Sequence, residues 1–110
     1  MIDHSRLQEL INDFGEEDLA DLIDSFLEEA VETVDALEGT ISEAYTKERA
    51  ELFHFLKGCA LNVGAMKLAD VCETFENRHS GFSTEEYQSM KADFAQVQAF
   101  FASGGLKQVA

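Results

Sequence analysis

His54, Lys57 and Gly58 are the residues of this chain whose types and spacing suit chemistry. On an α-helix, at roughly 100° per residue, side chains three and four positions apart flank one another one turn on. Lys57 and Gly58 then lie beside His54, with Lys47 and Leu61 almost in line with it. Leu52, Leu56, Cys59 and Val63 fall on the opposite stripe, with Ala60 at its edge, the pattern of a helix that buries its aliphatic side. The other side shows an imidazole, an ammonium and a strip of bare backbone. A neutral imidazole nitrogen is a nucleophile, an ammonium neutralises an anionic group, and glycine lets a bulky partner come close. Glycine inside a helix costs roughly 1 kcal/mol relative to alanine, so Gly58 calls for such a reason. A lone helical histidine is more often an ordinary surface or satisfied core residue, so the reading of His54 depends on its company.

The elements that would position these residues are helical throughout. Residues 4–13 read as a short amphipathic helix with Leu7, Leu10 and Ile11 inward, closing near Phe14 and Gly15. A long helix is expected over about 16–44, since Leu19, Leu22, Ile23, Phe26, Leu27, Ala30, Val34, Leu37 and Ile41 keep a three-four rhythm. Gly39 is a weak point inside it, and Glu16, Glu17 and Asp18 suit its positive N-terminal end. After a break near Tyr45 and Thr46, the His54 helix spans about 47–62. Gly64 supplies a tight connection to a helix over about 65–79 with Leu68, Ala69, Cys72 and Phe75 inward. Residues 80–84 form a turn, and Ser83 or Thr84 caps a last helix reaching about Ser103. Its stripe is Tyr87, Met90, Phe94, Val97 and Phe101, and the tail from Gly104 reads as frayed. The expected fold is all-α: a single domain over 1–110, an antiparallel up-down-up-down four-helix bundle with a short additional N-terminal helix.

Composition agrees and excludes several classes. The 110 residues are 45% hydrophobic with no proline, which suits uninterrupted helices around one modest core. A formal charge of −14, from 22 acidic and 8 basic residues, argues against nucleic-acid phosphate and anionic membrane as partners. Arg6 is the one basic residue before Lys47, whereas Lys47, Arg49, Lys57 and Lys67 gather around the His54 helix, a positive bias suited to an incoming phosphoryl group. Cys59 and Cys72 sit at apolar helical positions and read as buried free thiols. His4, His54 and His79 have no metal-site spacing with them, and no Gly-rich phosphate loop is present. No apolar run approaches the roughly 20 residues of a membrane span, and no signal peptide opens the chain, so a cytoplasmic monomer is expected.

The sequence His54-x-x-Lys57-Gly58, with a second glycine at Gly64, resembles the phosphorylation motif of the histidine-containing phosphotransfer (HPt) domain. The resemblance runs through Leu68, Val71, Cys72 and Glu73 to Glu76, a Glu placed 22 residues after the histidine. Two positions depart from the usual pattern: Phe53 stands where a small residue commonly precedes the histidine, and Cys59 where Ser or Ala is common. The resemblance implies a carrier that takes a phosphoryl group on His54 from a receiver-domain aspartate and hands it to another receiver domain. The partners it implies are receivers of a hybrid histidine kinase or a response regulator. Glu76 would hold the other ring nitrogen and Lys57 would neutralise the transferring oxygens. Phe55, Leu61 and Lys47 would form the partner-docking patch. No cofactor is implied, because the receiver brings the magnesium ion. Nor is an enzyme implied, since 110 residues leave no room for a kinase's ATP-binding domain. The alternative is an interaction-only helical bundle that binds a receiver without accepting phosphate.

Overall fold

The structure is a computed structural model and describes residues 2–110. Six helices and no strands make up these residues: α1 (His4–Phe14), α2 (Glu16–Glu38), α3 (Lys47–Asn62), α4 (Met66–Glu76), α5 (Thr84–Ala102) and α6 (Gly105–Val109). Contacts run from α2 to α3, α3 to α4, α4 to α5 and from α5 back to α2, with the α3–α4 pairing the most extensive. One hydrophobic cluster draws on every helix, from Leu7 and Leu10 of α1 to Leu106 of α6. Its centre is the fully buried set Leu19, Ile23, Leu37, Phe53, Leu56, Cys72, Tyr87 and Met90.

Three of the helices, α1, α3 and α5, start on a side-chain cap. Asp3 accepts the Arg6 N–H at the head of α1, and Thr46 accepts the Arg49 N–H at the head of α3. Ser83 and Glu86 exchange side-chain-to-backbone hydrogen bonds, a capping box that begins α5. Between α3 and α4, Gly64 adopts φ 75°, a left-handed conformation open to glycine at little cost. Its carbonyl accepts the Asp3 N–H at 2.7 Å, which ties the N-terminal segment to the α3–α4 turn.

Several expectations are corrected. The second helix does not continue to about 44 but ends at Glu38. Thr40 turns its hydroxyl onto the Leu37 carbonyl, and the carbonyls of Thr40 and Ala44 are taken by Arg49, so a continuing helix would have to surrender those bonds. Ile41, which prolongs the apolar rhythm, is half-buried from a loop. Ser42 there pairs with Phe82 through two backbone hydrogen bonds. The fourth helix ends at Glu76 rather than near 79, where Asn77 donates its side-chain amide to the Glu73 carbonyl. Leu22, at the margin of the α2 stripe, is exposed instead of inward. Residues 105–109 are not frayed: α6 buries Gly105 and Leu106 and packs on α1, α2 and α5.

Arg49 is the largest revision. It is not part of a positive surface around His54, being only 2% exposed. Its guanidinium donates to the carbonyls of Thr40 (3.0 Å), Ala44 (3.0 Å) and Ser80 (2.6 Å), pinning the α2–α3 loop to the α4–α5 loop. Lys67 is paired with Asp93 at 3.2 Å.

Candidate functional site

His54 projects from the middle of α3, where Leu56, Cys59 and Ala60 face inward and leave the opposite side to solvent. Phe53 is buried on the flank towards α4, and its ring stacks on Phe75 with centroids 5.2 Å apart. That contact brings two consecutive pairs level with each other: Phe53 with Phe75, then His54 with Glu76. Glu76 is the last residue of α4. Its Oε1 lies 2.5 Å from His54 Nδ1, while the imidazole as a whole remains 70% exposed. An ionised carboxylate only accepts, so Nδ1 carries the proton and Nε2 keeps a free lone pair.

Lys57, one turn after His54 on α3, places its ammonium 2.8 Å from the other carboxylate oxygen, Oε2. Oε2 is sealed from solvent and has no other polar partner among the described residues. Burial opposes charge on Glu76. The Lys57 contact and, after it, the hydrogen bond to His54 outweigh that penalty and hold the carboxyl below its ordinary pKa. The same contact raises the Lys57 ammonium above its ordinary value. The three side chains thus form a chain of charge, ammonium to carboxylate to imidazole, that ends on a solvent-facing nitrogen.

A Cβ built on Gly58 meets no atom within 4 Å, so the space beside the imidazole is open. Phe55 and Leu61 are exposed at 46% and 42%, large values for apolar side chains on the histidine's own helix. Lys47 stands in solvent two turns before His54, 3.7 Å from Glu51, and nothing brings it into the His54–Glu76–Lys57 cluster. Cys59 and Cys72 are free and buried, and burial pushes the Cys72 thiol up to about 12, so neither offers a thiolate at neutral pH. Among the described residues no group of His, Cys, Asp and Glu is placed to hold a metal ion, and no helix is long and apolar enough to cross a membrane.

Sequence reasoning passed over the packing beneath the cluster: Phe75 and Phe82 meeting edge-on at 5.1 Å, and Arg78 lying over the Phe75 ring. Of the two expected caps of the last helix, Ser83 is the one used, and the spacing Ser83-x-x-Glu86 marks the capping box with which α5 begins.

Comparison with known families adds one match. The family described as Hpt domain has a model that matches residues 21–100. No curated protein and no solved structure matches the chain.

Proposed function

The chain belongs to the Hpt domain family, whose members act in phosphorelays as phosphocarriers rather than as classical enzymes, and from that premise we propose that it carries a phosphoryl group on His54 Nε2 between receiver domains. The observation that carries this reading is the Lys57–Glu76–His54 chain, with Glu76 on Nδ1 and an unpartnered Nε2 facing solvent.

On this reading the Nε2 lone pair attacks the phosphorus of a receiver's aspartyl phosphate. The N–P bond forms as the P–O bond to the aspartate breaks, and the carboxylate leaves with the electron pair. The ring, still protonated at Nδ1, becomes a cation, and the Glu76 carboxylate stabilises that charge as it develops. Lys57 holds the Glu76 carboxyl below its ordinary pKa. It also stands within a turn of the transferred group, so a shift of its ammonium from Oε2 towards the phosphoryl oxygens would offset their charge. Catalysis in phosphoryl transfer is mostly positioning and electrostatics, with the metal supplied by the receiver. The open side at Gly58 admits the partner, Phe55 and Leu61 give it apolar surface to cover, and Lys47 lies at the edge of that area. The same reading takes residues 1–110 as one domain and α2–α5 as an up-down-up-down bundle, supported by the closed ring of contacts among them.

The test uses a receiver domain already phosphorylated on aspartate. Label should move to the wild-type protein, none should be taken from Mg-ATP alone, and His54→Gln should accept none while melting near the wild-type temperature. Binding of the receiver without transfer would select the interaction-only bundle instead, and self-labelling from ATP would overturn the carrier reading.

A further inference from the structure

Glu76 stands on the last residue of a helix, and helix ends fray unless something holds them. The backbone after it turns at once, with the Arg78 N–H on the Phe75 carbonyl. Phe75, the residue before Glu76, stacks on Phe53, the residue before His54. The Arg78 guanidinium lies over the same Phe75 ring, 4.6 Å from its centroid. Arg78 also pairs with the Glu86 carboxylate. Glu86 is itself fixed, because its Oε1 accepts the Ser83 N–H at 3.0 Å and the Ser83 hydroxyl accepts the Glu86 N–H at 3.1 Å. A continuous path therefore runs from the capped start of α5 through Glu86 and Arg78 to Phe75, and so to the turn that carries Glu76.

We propose that Arg78 is a positioning residue for His54: by tying the end of α4 to the start of α5 it sets where the Glu76 carboxylate stands, and thereby which ring nitrogen of His54 holds the proton. Arg78 touches neither the imidazole nor the transferred group and acts through Glu76. Only its effect on transfer rests on the carrier reading; its effect on the proton does not.

Two variants separate this from plain stabilisation. Arg78→Leu keeps apolar cover over Phe75 and removes the cation. Glu86→Gln retains an acceptor for the Ser83 N–H and removes the charge that holds Arg78. The deciding readout is ring-nitrogen NMR of His54 at about pH 9, where an ordinary imidazole is neutral. The wild type should show the Nδ1–H form in large excess, and both variants should lose part of that excess. Arg78→Lys, which keeps the pair with Glu86, should recover some of it. Transfer from a phosphorylated receiver should slow by roughly 3- to 30-fold, given that about 1 Å of misplacement can cost on the order of a hundredfold. Variants that melt earlier but keep the wild-type proton distribution would overturn the proposal, and so would a slower transfer with that distribution unmoved. Should Arg78→Leu fail to fold, Glu86→Gln decides. If the wild type accepts no phosphoryl group at all, the carrier reading falls and the NMR comparison still judges Arg78.

Discussion

Replacing Arg49 by methionine should unpin two loops and leave the site chemistry intact. The guanidinium supplies three charged donors to the carbonyls of Thr40, Ala44 and Ser80. Hydrogen bonds to charged groups are worth roughly 1.5–3 kcal/mol each, a gross loss of about 4.5–9 kcal/mol. Two corrections reduce it. Ala44 and Ser80 are exposed residues, so water can serve their carbonyls once the side chain is gone, whereas Thr40 is buried and its carbonyl would be orphaned. Burying the cation is itself costly, as the lowered Arg49 pKa records, and methionine relieves that cost. The net loss should be about 2–4 kcal/mol, which a domain with roughly 5–15 kcal/mol in hand survives folded. In urea the midpoint should fall by about 1–2 M with an unchanged slope. Phosphoryl acceptance, assayed well below the midpoint, should stay near wild type. The opposite pattern, unchanged stability with failed acceptance, would refute the reasoning and restore Arg49 as a cation that attracts the phosphoryl group.

Gly58→Ala should hold or raise stability by up to about 1 kcal/mol, because alanine has the better helix propensity and its Cβ meets nothing. Gly58→Gln should fold equally well and transfer poorly, and a wild-type rate in that variant would remove the access role. Gly64→Ala should cost about 1–3 kcal/mol through its positive φ, with a Cβ only 3.1 Å from the Asp3 carbonyl oxygen; thermal melts would show it, and an unchanged midpoint would mean that the N-terminal segment yields freely. Glu76 and Glu86 are both held below the ordinary 4.5, chiefly by Lys57 and Arg78 respectively, so their stabilisation is present above 4.5 and lost as pH falls through their folded values. Lys57, raised above 10.5 by Glu76, contributes fully below 10.5 and loses its share as pH rises through its folded value. Cys59 and Cys72 are both raised by burial from the ordinary 9.0, so unfolding also becomes easier above about pH 9, where the unfolded thiols ionise first. The melting temperature should therefore hold between about 4.5 and 9 and drop on either side, and Glu76→Gln should make the acid limb shallower while leaving the fall above 9 in place.

The helical rhythm made α3 legible to the residue, because its ends coincide with a Thr46 cap and a following glycine. It failed at α2, where Ile41 keeps the apolar period although the chain has already left the helix. Periodicity registers burial, and a loop can bury a side chain as well as a helix can. α6 escaped notice because five residues are too few to show a period. At the site, His54, Lys57 and Gly58 follow from spacing within one helix. Glu76 lies on another helix, and family resemblance, not spacing, singled it out. Arg49 was misplaced for a different reason: its partners are main-chain carbonyls of two loops, and no residue type in the sequence marks where a carbonyl will be left without a donor.

The fate of the four basic residues near His54 in sequence bears on how firmly a phosphoryl group would be held. Arg49 is committed to carbonyls, Lys67 to Asp93, and Lys47 stands two turns away beside Glu51. Lys57 alone lies at the cluster, and it is already engaged by Glu76. A phosphoryl group on Nε2 would bring about −1.5 to −2 of charge beside that carboxylate. Lys57 would then have to divide its charge between Glu76, whose carboxyl it holds below the ordinary pKa, and the phosphoryl oxygens. On the carrier reading this arrangement stabilises the imidazolium formed during attack more than the dianion left afterwards. A carrier must release its group to the next aspartate, and a second free cation at the site would deepen the well from which that release starts. On the carrier reading, placing Arg49 in the core and Lys67 on Asp93 would keep the site reactive in both directions.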